Sequence, residues 1–132
     1  MKTSVIAAAV AAAIFSIADM GAANAGDAAA GEQVFKKICS TCHSAEPGIN
    51  KTGPSLNGVV VRKAGSTDFP RYKGLADATF TWDAAKLDAY LQDPKAFVIA
   101  NTANKTTAMT YALKDPTQRA DVIAYLETLK KK

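Results

Sequence analysis

Both cysteines of this chain and its one histidine fall within five residues, Cys39-Ser40-Thr41-Cys42-His43. Two thiols three residues apart on a helix share a face, with Cβ atoms about 5–6 Å apart. That spacing lets both sulfurs add as thioethers to the two vinyl groups on one edge of a porphyrin. The histidine that follows can turn its imidazole beneath the ring to bind iron, so C-x-x-C-H reads as an attachment site for c-type haem. Two other chemistries use the same cysteines. A thioredoxin-like dithiol expects C-x-x-C after a strand in a βαβ pattern, and a Cys39–Cys42 disulfide closes a loop too small to gain much entropy. A closed structural zinc site is excluded, because it needs four Cys/His ligands and the chain has three.

A sixth iron ligand has to come from elsewhere in the chain, and no second histidine exists. Of the three methionines, Met1 and Met20 lie in the N-terminal apolar leader, which leaves Met109. A lone methionine ordinarily fills a gap in a core. Opposite a histidine on haem iron, however, a thioether is a recurrent ligand of electron-transfer sites and raises their potential. The flanking Thr106-Thr107-Ala108 and Thr110-Tyr111 are polar and loop-like, unlike a core stripe.

The elements that must position these groups are few. The 132 residues suit one domain, and 48% hydrophobic with 21% charged residues is a globular composition. Lys2 followed by an apolar run over 5–18 and then Ala23-Asn24-Ala25 reads as a cleavable signal peptide over residues 1–25, leaving 26–132 as the mature domain. The apolar run is shorter than the roughly 20 residues that a membrane-spanning helix needs. Export would place the cysteines in an oxidising compartment. The net charge of +4 does not require a nucleic-acid partner, but it matters if the positive side chains share one face.

Asp27 is positioned to cap a first helix, along which Phe35, Ile38, Cys39 and Cys42 recur at spacings of three and four. From Pro47 to Pro70, glycines and prolines punctuate a long loop, with Val59-Val60-Val61 its one strand-like piece. A loop of that length needs a packing partner, and a cofactor supplies one. Thr81 or Asp83 starts a second helix with Leu87, Tyr90 and Leu91 inward, stopped at Pro94, and a further short turn is expected from Pro94 to Ile99. Asp115-Pro116-Thr117-Gln118 opens the last helix, with Val122, Ile123, Leu126 and Leu129 along one side and Lys130, Lys131 and Lys132 at its end.

With these residues in view, the mature chain resembles class I cytochromes c, and most of all the bacterial cytochrome c2 branch. Gly31-x-x-x-Phe35 leads into the haem motif. Lys51-Thr52-Gly53-Pro54-Ser55-Leu56-Asn57-Gly58 is similar to the family loop on the histidine side, and Arg119-Ala120-Asp121-Val122-Ile123-Ala124-Tyr125-Leu126 to its C-terminal helix. The resemblance implies an all-α fold of three main helices, short helices and long loops wrapped around one covalently bound haem c. It implies thioethers at Cys39 and Cys42, axial ligands at His43 and Met109, and a Pro54 carbonyl that accepts from the imidazole. It places Arg62, Tyr72 and Trp82 among the haem-propionate partners, Tyr90 beside the methionine sulfur, Thr107 near the haem, and Tyr125 on Gly31. Trp82 and Tyr90 serve equally well as plain core. Between Pro94 and Met109 the chain runs several residues longer than the mitochondrial pattern.

What the resemblance implies for function is a monomeric, soluble periplasmic electron carrier and not an enzyme. Its expected donor is a cytochrome bc1 complex, and its acceptor a photosynthetic reaction centre or cytochrome oxidase. Lys36, Lys37, Lys51, Lys95, Lys105 and Lys114 are candidates for a basic ring that steers docking. A haem peroxidase or gas-binding protein with a labile sixth ligand is the rival reading. It lacks a second histidine to act on peroxide.

Overall fold

Every α-helix among the described residues starts at an aspartate. In the computed structural model, which describes residues 25–129, α1 spans Ala28–Lys37, α2 Ala84–Gln92, α3 Pro94–Asn101 and α4 Pro116–Thr128. Their N-caps are Asp27, Asp83, Asp93 and Asp115, each with a side-chain oxygen accepting from a free amide of the first turn. These amides have no partner inside the helix, and an aspartate there also meets the positive end of the dipole. Asp93 serves twice, ending α2 and opening α3, with Pro94 in the first helical position where its missing N–H costs nothing. The short turn expected after Pro94 is thus a helix of eight residues. The apolar leader and Lys130–Lys132 lie outside the described residues.

α1 and α4 cross in close contact. A Cβ at Gly31 would lie 1.8 Å from the Asp121 carbonyl and 2.9 Å from Tyr125 Cβ, so only glycine allows this approach. Beside the crossing the Phe35 and Tyr125 rings meet at 5.4 Å, and the Asp27 amide donates to the Asp121 carboxylate at 2.8 Å. Val122, Ile123 and Leu126 turn from α4 into the core, as their spacing predicts. Opposite them Phe80, Trp82, Tyr90 and Phe97 form an aromatic group with centroids 5.0–5.7 Å apart. Each such pair adds about 0.5–1.5 kcal/mol beyond the area it buries.

Residues 42–83 contain no α-helix, and the only pairing of strand type among the described residues is one isolated bridge, Lys63 to Thr81. Val59-Val60-Val61 is not a strand. Val59 is buried, but the chain turns at once, the Val61 amide donating to the Trp82 carbonyl and the Arg62 amide to Val59. Val61 itself takes φ +70 with its side chain 81% exposed. A β-branched residue there is strained. Buried backbone in this stretch is satisfied by side chains: Asn50 accepts from the Ser55 amide, Ser55 Oγ donates to the Glu46 carbonyl, and Asn57 donates to the Ala45 carbonyl.

Candidate functional site

α1 stops at Lys37, and the cysteine pair occupies a separate 3₁₀ turn, Cys39–Thr41, with Cys42 as its cap. The expected α-helical spacing of the two thiols is therefore replaced by a tighter one. In a 3₁₀ turn residues i and i+3 eclipse, so both cysteines still project to one side. The Cys42 and His43 amides both donate to the Cys39 carbonyl, at 3.1 and 2.9 Å, which locks the three residues together. Both thiols are free, Cys39 half-buried and Cys42 exposed. Burial pushes the Cys39 thiol up to about 11.

His43 is the most constrained side chain of the group. Its Nδ1 lies 2.8 Å from the Pro54 carbonyl. A carbonyl can only accept, so Nδ1 carries the proton and Nε2 presents its lone pair. Burial pulls the imidazole pKa below its ordinary value, against the Pro54 bond and with help from the positive charges of Arg62 and Lys51. A neutral ring with Nε2 free is the form that binds a metal. Gly53 gives the ring its floor: a Cβ there would lie 2.3 Å from Cε1. The Gly53 amide donates back to Cys42 at 2.8 Å, and Leu56 to Ser44 at 2.9 Å, so this loop is hydrogen-bonded to the haem-motif segment itself.

On the other side, Met109 is half-buried and packs against the apolar core. Its amide donates to Thr107 Oγ1 at 3.2 Å. The Thr107 hydroxyl also bonds the buried Tyr90 phenol, opposing part of the upward shift that burial causes there. The three residues assigned by resemblance to the methionine side therefore lie together. Of the proposed propionate partners, Arg62 donates to the Asn57 and Ser55 carbonyls, both at 3.1 Å, Tyr72 shares a hydrogen bond with Thr67, and Trp82 is buried in the aromatic group. Tyr125 meets Gly31 through its Cβ and lays its ring on Phe35.

The free Nε2, the cradle beneath it, the two unpaired thiols of one turn and the thioether packed on the core make a donor set suited to a low-spin haem c. Nothing in it suits a hard cation, and among the described residues no cluster of three His, Cys, Asp or Glu could hold a metal ion. Sequence reasoning gave no role to Asn50, Ser55 or Arg119. Polar residues of those types usually sit on the surface, and only the folded contacts distinguish them.

The comparisons agree with this geometry. The Cytochrome c family model matches residues 28–130. The chain belongs to the cytochrome c family. It is 46% identical over 112 residues to cytochrome c-550 of Novispirillum itersonii, an alignment covering 80% of this chain and all of that one. It is 41% identical over 137 residues to cytochrome c2 of Rhodospirillum rubrum, covering 98% of this chain and 100% of the relative. Among solved structures, ferricytochrome c2 of Rhodopseudomonas palustris superposes with a TM-score of 0.68 at 42% identity, covering 79% of this chain and 99% of that one. Membership fixes the fold as class I cytochrome c and the cofactor as haem c. The chain is a monohaem electron carrier and not an enzyme. Among the described residues no helix is long and apolar enough to cross a membrane.

Proposed function

We propose that the chain is exported to the periplasm, where it carries single electrons from a cytochrome bc1 complex to a photosynthetic reaction centre or cytochrome oxidase, as a monomer docking transiently. Haem c supplies the one-electron Fe(II)/Fe(III) couple. Cys39 and Cys42 would hold it by thioethers, His43 Nε2 and the Met109 sulfur would ligate its iron, and Pro54, Arg62, Tyr72, Trp82, Tyr90 and Thr107 would lie around it. The observation that carries this reading is the 2.8 Å bond from His43 Nδ1 to the Pro54 carbonyl, one residue from the Cys42 thiol. It orients the one histidine of the chain for ligation and makes Nε2 more basic.

With His43 and Met109 both supplied as ligands, no position on the iron would remain for a substrate, and these residues would serve to hold the group unchanged as it gains and loses one electron. The buried aromatic group and Met109 keep water away, which favours the less charged Fe(II) form. Residues 1–25 are the signal peptide in this reading. Its support is the sequence pattern of Lys2, the apolar run over 5–18 and Ala23-Asn24-Ala25, together with Gly26 packed against the Ala120 carbonyl and Asp27 capping α1, which tie the residues just after that pattern into the domain.

Lys95 and Lys114 line an open groove of about 310 Å³ with Thr107 and Met109, which places two of the six candidate lysines beside the methionine. Lys37 and Lys105 are exposed. Lys36 is paired with Glu32 at 2.6 Å, Lys51 donates to the Ser40 carbonyl at 2.6 Å, and Lys114 to the Gln92 carbonyl at 2.7 Å. A basic flank of this kind speeds encounter with acidic docking faces. The test has two parts. A reduced-minus-oxidised spectrum of the mature protein is expected to show a sharp c-type α-band with a weak far-red Met-to-Fe(III) charge-transfer band, and a colourless preparation from a haem-maturing periplasm overturns the reading. The second-order rate with an acidic redox partner is expected to fall steeply with added salt, since exposed charges are screened beyond about 8 Å at physiological ionic strength. A flat salt profile removes the basic flank from the account.

A further inference from the structure

Arg119 is the one charged side chain that is buried among the described residues, 6% exposed. Its Nε donates to Asp88 on α2 at 2.7 Å. One terminal nitrogen, NH1, donates to two successive carbonyls, Leu113 at 3.0 Å and Lys114 at 2.8 Å. The same two residues are also tied to the end of α2. The Leu113 amide donates to the Leu91 carbonyl at 2.8 Å, and the Lys114 ammonium reaches the Gln92 carbonyl. Residues 113–114 are therefore pinned between α2 and α4, with the guanidinium as the buried centre of the joint.

Upstream the chain is different. Between the Thr102 amide, bonded to Val98, and the Leu113 amide, no backbone-to-backbone hydrogen bond occurs among the described residues. Met109 sits in this free stretch, four residues before the joint. Four residues reach at most about 14 Å when extended, so the place of the joint bounds the place of the sulfur.

We propose that Arg119 is a positioning residue for Met109: by holding the Leu113 and Lys114 carbonyls against Asp88 and the end of α2, it keeps the methionine segment closed over the haem. The proposal rests on the reading of Met109 as the sixth ligand. Lysine does not replace arginine here, because Nε and NH1 diverge in a fixed fork toward partners on two different elements, and an ammonium offers no such fork.

The measurement is the affinity of the ferric holoprotein for added imidazole, which competes with the methionine and binds in proportion to the open fraction of the segment. Arg119→Lys is expected to bind imidazole at least about tenfold more tightly and to lose intensity in the far-red band. Val122→Ala, one turn further along the same helix and buried in the same core but with no hydrogen bond to residues 113–114, is expected to lower the thermal midpoint while leaving imidazole affinity at the wild-type value. Asp88→Asn, which keeps the fold with a weaker partner, is expected to fall between wild type and Arg119→Lys. Wild-type affinity in Arg119→Lys, or an equal rise in Val122→Ala, overturns the proposal, since stability alone then explains the effect. A far-red band that survives in Met109→Ala overturns it differently, by removing Met109 as the ligand.

Discussion

The two sides of the haem site are built on opposite plans. The histidine side is hydrogen-bonded along its length: Gly53 to Cys42, Leu56 to Ser44, Lys51 to Ser40, Asn50 to Ser55, and Pro54 to the ring itself. The methionine side has its backbone bonds at the ends and, among the described residues, only side-chain contacts between, namely Asn104 to Asp77, Asn104 to Thr102, Met109 to Thr107 and Thr107 to Tyr90. A segment with few backbone bonds and half-exposed residues opens at lower free energy than the body of the fold. In the proposed reading, the difference teaches that the histidine ligand is set in place by the protein, while the methionine would depend on its own bond to iron and on the joints at 102 and 113.

The largest effect is expected from removing that bond. Met109→Ala takes away the only methionine among the described residues, leaving the iron water- or lysine-bound and the midpoint potential well below wild type, because the ligand that favours Fe(II) is gone. The far-red band is expected to vanish, carbon monoxide to bind the reduced form, and stability to fall by about 2 kcal/mol, near the low end for a buried Met→Ala change. An unchanged band and potential would show that the sulfur is not the ligand.

A matched pair of added methyl groups compares the two plans directly. In Gly53→Ala the new Cβ lies 2.3 Å from the His43 ring in a loop with no slack. Overpacking of that kind costs about 1–3 kcal/mol, and the upper end is expected here. In Gly74→Ala the Cβ lies 2.3 Å from the Thr106 carbonyl, at φ +84. The left-handed backbone alone costs alanine about 1–2 kcal/mol, but the unbonded methionine segment can move away from the clash. Thermal unfolding is therefore expected to show the larger loss in Gly53→Ala, and imidazole titration the larger gain in Gly74→Ala. The reverse order would mean that the two sides are equally rigid.

The smallest expected effect lies away from both sides. Val61→Gly removes a left-handed penalty of about 1–2 kcal/mol and restores about 0.5–1 kcal/mol of chain freedom to the unfolded state. The side chain is 81% exposed, so almost no burial is lost. A net gain of about 0.5–1 kcal/mol is expected, read as a higher urea midpoint at unchanged slope, with no change in imidazole affinity. A change in affinity would link this turn to the methionine segment.

Much of this protein is local chemistry and was legible as such. Asp27, Asp83 and Asp115 cap helices because a carboxylate meets the free amides of the residues just after it, and Pro116 needs no donor in the first turn. The Cys39-Ser40-Thr41-Cys42-His43 spacing specifies a cofactor because both thiols and the imidazole are brought together within one turn of chain. Tertiary structure decided what depends on distant partners. Val59-Val60-Val61 has the composition of a strand, but among the described residues no second strand lies beside it, and the Trp82 carbonyl bends it into a turn. The Pro54 carbonyl was legible through the resemblance of residues 51–58, but Gly53 as the floor of the imidazole, ten residues from His43, shows only in the fold. Arg119 carries a charge that belongs in water by composition, and it is buried because Asp88 and two carbonyls from other segments converge on it. Residue types and spacing determine caps, turns and the covalent motif, where the partners are neighbours in the chain. Only the fold decides which polar groups are desolvated together, because that depends on elements brought together across dozens of residues.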